Sequence, residues 1–369
     1  MDRSKVERIE LAPGYSISRI IKGGWHLAGG HGNIDPDQAG RDMAGFVEAG
    51  ITTFDCADIY TGVEELIGRF RVQFPELAKE VQIHTKFVPD YSILKTITSE
   101  DVESTIDRSL KRLRVEQLDL VQFYWWDPDG IPGYLETAEV LHQLKRSGKI
   151  RHIGLTNFNT RQTKLIVERG VPILTNQVQY SPIDTRPEKE LIPFCLQQDI
   201  QQLCYGTLAG GFFSSEWLEA EEPIQAFSNR SLTKYKLVID DIGGWQHFQK
   251  ILKALSEISK KHDASLAQTA LAWTLGQTGV AAVIVGATSN RHLEENLQVF
   301  DLNLDAEDHA MLANLIQLSK PLEGDCFDLE RDKNGRHGSI MKYNENSNES
   351  CSGLSKIYNE KDRQNPLKN

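Results

Sequence analysis

Asp55, Tyr60 and Lys86 are an acid, a phenol and an amine at or just past the ends of two apolar runs, and together they could move a proton. The run 51–54 leads into Asp55, and an irregular turn carries Tyr60. A helix is expected to open at Thr61, where Thr61 and Glu64 have the spacing of a capping box. Lys86 closes the next alternating run, 81–86, whose end should lie beside Asp55. Taken singly, an aspartate at a strand end is a turn former and a tyrosine beside a helix is packing. As a trio they make one proton-donating unit, because a carboxylate keeps a nearby lysine charged and a charged lysine lowers the pKa of a neighbouring phenol.

Holding three such groups together calls for parallel strands that end at one level. Glu7 to Ser18, folded at Pro13-Gly14, reads as a hairpin capping one end, and Arg19 to Gly24 as the first central strand. Further strands are expected at 51–54, 81–86, 118–123, 150–155, 173–178, 200–204 and 281–285. Helices are expected from Asp35-Pro36-Asp37 to Ala49, stopped by Gly50, and near 63–74, 99–114, 134–147, 159–169, 187–198 and 247–277. Strands alternating with helices imply right-handed crossovers, and eight such units close a (β/α)8 TIM barrel with its functional groups at the C-terminal strand ends. The expected organisation is a barrel over 1–318, an extension over or beside its mouth at 319–343, and a disordered tail at 344–369, where apolar groups are scarce. Residues 206–246 read as a long connection that could close over the mouth as a lid.

The chain has 369 residues, 40% of them apolar, which can fill a sizeable core. Its 41 basic and 52 acidic side chains leave a net charge of −11, which argues against non-specific affinity for nucleic acid or an anionic membrane. The five cysteines form no CxxC pair, so neither a zinc site nor a disulfide framework is suggested. Residues 1–14 are too polar for a signal or transit peptide and no apolar run approaches a membrane span. A cytoplasmic protein, monomeric or weakly homo-oligomeric and acting on a small molecule, is expected.

The segments FDCADIYTGVEELIG, IHTKF, LDLVQFYWWD, IGLTNF, NQVQYSP, YGTLAGG and VGATSNRHLEENL, in that order and spacing over roughly residues 15–315, resemble the aldo-keto reductase family. The resemblance implies a barrel that binds a nicotinamide dinucleotide across its strand ends without a GxGxxG loop. It implies a catalytic tetrad of Asp, Tyr, Lys and His, in which Asp55, Tyr60 and Lys86 match and Tyr124 stands at the histidine position. A phenol there is a neutral donor at pH 7, as imidazole can be, but it reaches further, so substrate geometry should change.

For the cofactor, the resemblance implies that Thr156, Asn157 and Gln177 hold the nicotinamide carboxamide and that Tyr205 stacks on its ring, followed by Gly206 and Leu208. After the last strand, Gly286 and a helix beginning near Ser289 should meet phosphate, with Glu295 and Asn296 at the adenosine end. Arg291, with His292 beside it, is the cation available to a 2′-phosphate, so NADP(H) is expected to be preferred and NAD(H) possible. Trp25, Trp125 and Trp126 would make the substrate pocket aromatic, fitting aryl or alkyl aldehydes and ketones better than phosphorylated sugars. The expected activity is reduction of such carbonyls to alcohols with Tyr60 as general acid. The alternatives are NAD-dependent alcohol or aldose oxidation, or a cofactor-sensing subunit without turnover, which the tyrosine at position 124 keeps open.

Overall fold

Apolar runs ending in polar residues form the staves of a closed barrel. The computed structural model describes residues 5–28, 34–225, 227 and 229–346. A hairpin of β1 (Arg8–Ala12) and β2 (Tyr15–Ser18) precedes β3 (Ile20–Gly23), β4 (Thr53–Asp55), β5 (Gln82–Phe87) and β6 (Leu118–Phe123). Then come β7 (Ile150–Thr156), β8 (Ile173–Gln179), β9 (Gln201–Tyr205) and β10 (Val280–Gly286). The barrel closes in the order β10-β3-β4-β5-β6-β7-β8-β9 with every neighbouring pair parallel. No helix among the described residues is long and apolar enough to cross a membrane.

Register is what aligns the chemistry. Gly23 pairs with Gly286 on one side and Asp55 on the other, Lys86 with Gln122, and Thr156 with Gln177. Since a slip of one residue would turn each of these side chains to the opposite face of the sheet, the apolar layers on both faces hold the polar ends in place. On the inside, Leu11, Tyr15 and Ile17 of the hairpin plug the bottom against Ile21, Leu120, Leu203 and Ala281. On the outside, Val121, Phe123 and Leu155 pack under the helices.

Several local expectations are corrected. The helix expected at Thr61 begins at Val63 behind Gly62, whose φ of 78° is easy only for glycine. Glu64 caps nothing, because its carboxylate turns inward to accept from Thr85 Oγ1 at 2.6 Å and to meet Arg112 at 3.4 Å. The single helix expected over 247–277 is two, Gly244–Lys261 and Leu266–Leu275, parted where Asp263 takes a positive φ and Ser265 with Gln268 forms a capping box. The connection 206–246 is not all loop, since it contains the helix Arg230–Asp241. After β10, the helix spans only Leu293–Leu297, starting later than Ser289. The tail expected from 344 lies outside the described residues from 347 onward. Before that point it is ordered by hydrogen bonds: Asn344 Oδ1 accepts from Ser92 N at 3.0 Å, and Asn346 N donates to Asp90 Oδ1 at 2.9 Å.

At the bottom of the barrel, His84 shares a 2.9 Å hydrogen bond with the Tyr15 hydroxyl and is fully buried. Burial, then Lys86, then His152 push its imidazole down to about 3, and His152 is brought down to about 4 by burial, Lys145 and Arg151. Folded pKa values below the unfolded value of about 6.5 mean that the unfolded chain takes up protons first. The stability held by neutral imidazoles is therefore complete above pH 6.5 and lost as pH falls towards the folded values. We expect urea unfolding of wild type between pH 6.5 and 4.5 to lose about 1.4 kcal/mol per pH unit for each such histidine. His84→Gln should remove one proton from that slope. An unchanged slope would contradict this.

Candidate active site

β4 and β5 lie side by side with Asp55 opposite His84, which leaves Lys86, two residues on, level with the turn beyond β4. Lys86 Nζ donates to Asp55 Oδ2 at 2.7 Å, to the Cys56 carbonyl at 2.9 Å and to the Tyr60 hydroxyl at 3.4 Å. The lysine and aspartate side chains are only 6% and 5% exposed. Asp55 Oδ1 accepts from Gln122 Nε2 at 3.0 Å and Gln177 Nε2 at 2.6 Å, and Gln177 Nε2 reaches Gln122 Oε1 at 2.8 Å. A buried ion pair persists only with its remaining hydrogen-bonding capacity used in this way.

Burial alone would drive Lys86 neutral, but Asp55 and then Tyr60 hold its ammonium above the ordinary lysine range. Tyr60 corrects the sequence expectation of a lowered phenol. Removal from water raises it above its ordinary 10, Lys86 pulls it down, and Asp55 pushes it up again, for a net rise. The carboxylate that keeps Lys86 charged also offsets its field at the phenol. Tyr60 is thus protonated at neutral pH.

A cavity of about 670 Å³ opens above the trio and a second of about 1120 Å³ lies beside it. His26, Leu208, Gly211, Val285 and Gly286 line both, so the two form halves of one channel across the strand ends. Asp55, Tyr60, Lys86, Tyr124, Thr156, Asn157, Gln177, Tyr205, Gly206, Trp25 and Trp126 line the first half, while Ser289, Glu295 and Asn296 line the second. At this neck the His26 ring packs directly on Gly286, where a Cβ would stand 2.0 Å from it. Within the first half, the Tyr205 hydroxyl donates to Asn157 Oδ1 at 2.8 Å and Thr156 Oγ1 to the Gln177 carbonyl at 3.2 Å.

The Trp25 ring packs on Tyr60 with centroids 5.0 Å apart, and Tyr124 stands edge-on to Trp126 at 4.9 Å and to Phe327 at 6.0 Å. Burial pushes the Tyr124 phenol up, and its hydroxyl makes no hydrogen bond with Asp55, Tyr60 or Lys86. Two expected site residues are elsewhere. Trp125 is fully buried beneath the helices, donating Nε1 to the Ile131 carbonyl at 3.0 Å, because successive residues leaving β6 point to opposite sides. Arg291 is exposed and lines neither cavity, lying in the turn before the late-starting helix. The basic residues that do line the second cavity are His26, Lys260 and His292, the last 3.1 Å from Glu295.

Two further elements roof the mouth. The helix Arg230–Asp241 turns Arg230, Lys234 and Tyr235 into the first cavity, so close that a Cβ on Gly206 would meet the Tyr235 hydroxyl at 2.0 Å. Residues 319–346 cross the opposite rim, where Tyr91 N donates to the Tyr343 carbonyl at 2.7 Å and Ile340, Met341, Lys342 and Glu345 face the cavity. Sequence reasoning missed Gln122, Arg230, Lys234 and Phe327. Gln122 had a signal, a polar residue two places beyond Leu120 on the inward face of an apolar strand; the others had none without the fold.

The profile of the Aldo/keto reductase family matches residues 19–317. Probable aldo-keto reductase 1 of Glycine max is 29% identical over 325 residues, covering 84% of this chain and 88% of its own. The NADH-specific methylglyoxal reductase of Escherichia coli (strain K12) is 24% identical over 324 residues, 82% of this chain and 95% of its own. Among solved structures, a glycerol dehydrogenase from Gluconobacter oxydans superposes with a TM-score of 0.72 at 23% identity, over 88% of this chain and 98% of that one, a likeness of fold.

Removing one partner of a buried ion pair leaves an uncompensated charge and costs about 3–5 kcal/mol. Asp55→Asn should lower the unfolding free energy by about that much, and adding Lys86→Met should restore at least about half of the loss, because the stranded ammonium is gone. Denaturant titration of the three proteins checks this. A loss below about 1 kcal/mol, the value of an exposed pair, would contradict the burial argument.

Proposed function

This chain belongs to the aldo/keto reductase family, and from that membership we propose that it reduces aldehyde or ketone carbonyls to alcohols with Tyr60 as the proton donor. Membership makes the chain an oxidoreductase that uses a nicotinamide cofactor. The observation that carries the finer reading is the chain of contacts from Asp55 through Lys86 Nζ to the Tyr60 hydroxyl at the floor of the first cavity. The site residues fit a dinucleotide: a channel in two halves across the strand ends, with amide and hydroxyl groups at one end.

When bound, the reduced nicotinamide supplies hydride to the carbonyl carbon. Thr156, Asn157 and Gln177 would hold its carboxamide, and Tyr205 would support the ring. Gln177 can do so through Oε1, because its Nε2 is committed to Asp55 and Gln122. Tyr60 gives its phenolic proton to the carbonyl oxygen, Lys86 stabilises the phenolate left behind, and Asp55 keeps Lys86 charged. Trp25, Trp126 and Tyr124 form the aromatic wall for the substrate, with the Tyr124 hydroxyl available as a second donor.

A phenol raised above 10 suits reduction at neutral pH and makes a poor base for alcohol oxidation there. The NADP(H) preference read from the sequence rested on Arg291. With that residue away from the cavity and Glu295 lining it, we propose that both cofactors serve, with NADP(H) favoured by no more than the zero to about 1 kcal/mol of an exposed contact, under about tenfold. Steady-state turnover of aromatic aldehydes with NADPH and NADH from pH 6 to 11 tests both points. The kcat for reduction should hold to about pH 10 and fall above it, as the raised phenol ionises. A limb falling near pH 7–8 would show that Lys86 dominates the phenol, and no turnover with any carbonyl would reject the reductase reading.

A further inference from the structure

Most charges facing the first cavity cancel in pairs. Asp55 holds Lys86 at 2.7 Å and Glu345 meets Lys342 at 3.3 Å, which leaves Arg230 and Lys234, one turn apart on the same face of the lid helix. Lys234 is 17% exposed, and its nearest carboxylate oxygen, Glu330 Oε1, is 3.9 Å away. Arg186 takes both oxygens of Glu330, at 3.3 and 3.2 Å, and both of Asp184, at 2.9 and 2.7 Å. This buried network of two carboxylates, a guanidinium and an ammonium is neutral in sum, yet the hydrogen bonds among its four members are all made by the arginine, and Asp184 Oδ2 accepts one more from Gln179 Nε2 at 2.6 Å. Lys234 makes none with the described residues: beyond its 3.9 Å approach to Glu330, the ammonium lies at the cavity wall among the Tyr205, Tyr235 and Phe327 rings, 5.0, 5.6 and 5.5 Å from their centroids. Its burial, only partly offset by Glu330, holds the ammonium below the ordinary lysine range, and an anion at this spot would reverse that.

Arg230 adds the net charge. Its guanidinium lies 5.6 Å from the centroid of the Trp25 ring, which itself packs on Tyr60, and donates one hydrogen bond, to the Ile340 carbonyl at 3.3 Å. Lys234 sits 5.0 Å from the centroid of the Tyr205 ring, so the two cations flank the space above the proton donor. Neither lines the second cavity or the neck, where the dinucleotide phosphates would run. In a chain with a net charge of −11, two cations with one net positive charge between them at an aromatic substrate wall are not background.

We propose that Arg230 and Lys234 form an anion-binding pair that selects carbonyl substrates carrying a carboxylate. This rests on the reductase reading and names its substrate class. One net positive charge beside an ammonium that makes no hydrogen bond suits a singly charged acceptor better than a phosphate dianion, which would also face Glu330. The aromatic wall takes the carbon skeleton, the carboxylate lies against the lid helix, and the carbonyl is left at Tyr60. Because the pair binds a part of the substrate that does not react, its effect falls on KM more than on kcat.

The test uses 4-carboxybenzaldehyde and its methyl ester, which differ in charge but hardly in shape, with turnover and calorimetric binding measured in parallel. Wild type should favour the acid by about tenfold or more in kcat/KM, the factor of one charge-assisted contact, carried mainly by KM. Lys234→Met and Arg230→Met should each cut the acid-to-ester ratio by about fivefold or more, while Lys234→Arg keeps it. Arg230→Met, at a half-buried position, carries the test if Lys234→Met does not fold. A wild-type ratio near one, in turnover and binding alike, overturns the pair while leaving the reductase reading intact. A rise in cofactor KM that matches the rise for the acid also overturns it, by assigning the cations to the cofactor's phosphates. Preferential binding of the acid without turnover of either compound would uphold the pair and reject the reductase reading.

Discussion

The buried contact between Asp55 and Lys86 is the constraint on which the site depends. Taking a carboxylate and an ammonium out of water costs several kcal/mol for each ion, and their attraction repays it only when the remaining hydrogen-bonding groups are engaged. The barrel meets that condition with Gln122 and Gln177 on Asp55 Oδ1 and the Cys56 carbonyl on Lys86. Four strands therefore contribute to one ion pair, and the strand register that closes the barrel also sets the distance from Lys86 to Tyr60. The stabilising role of Lys86 and the reactive one proposed for it cannot be separated by position, since the same Nζ contacts Asp55 and Tyr60.

What was legible in the sequence is what the strands carry. Asp55 and Lys86 follow apolar runs whose period and length can be read directly, and parallel pairing then brings their ends together. Local rules failed where a tertiary partner outcompeted them. Glu64 has the spacing of a capping residue but was drawn inward to Thr85 and Arg112, and Trp125 looked like a neighbour of Trp126 but turned under the helices. Arg291 looked available to a phosphate because the sequence did not show how late its helix begins. The lid helix was illegible because it follows a stretch rich in glycine, serine and glutamate, so its apolar face, with Tyr235, Val238 and Ile239 buried, was read as part of a loop.

Beyond the barrel, the chain adds a roof from two sides. Phe212, Tyr235, Val238 and Trp245 join the lid segment to the helix Gly244–Lys261 in one apolar cluster. Glu330, from the C-terminal extension, ties that lid to the barrel through Arg186 and Asp184. A roofed, aromatic cavity lowers the polarity around the groups on its floor, which strengthens the charges there, including the ammonium beside Tyr60. The same enclosure explains why the phenol sits above its ordinary value rather than below it.

The central claim is that Tyr60 is the proton donor, and the most direct measurement is single-turnover reduction of an aromatic aldehyde by the Tyr60→Phe variant, with cofactor affinity measured by fluorescence on the same preparation. The account predicts a fall in rate of at least about 100-fold, the lower end of what general acid catalysis supplies, and a cofactor Kd within about twofold of wild type, because the phenol acts after binding. A variant that keeps more than about a tenth of the wild-type rate would contradict it and place the acid elsewhere in the cavity.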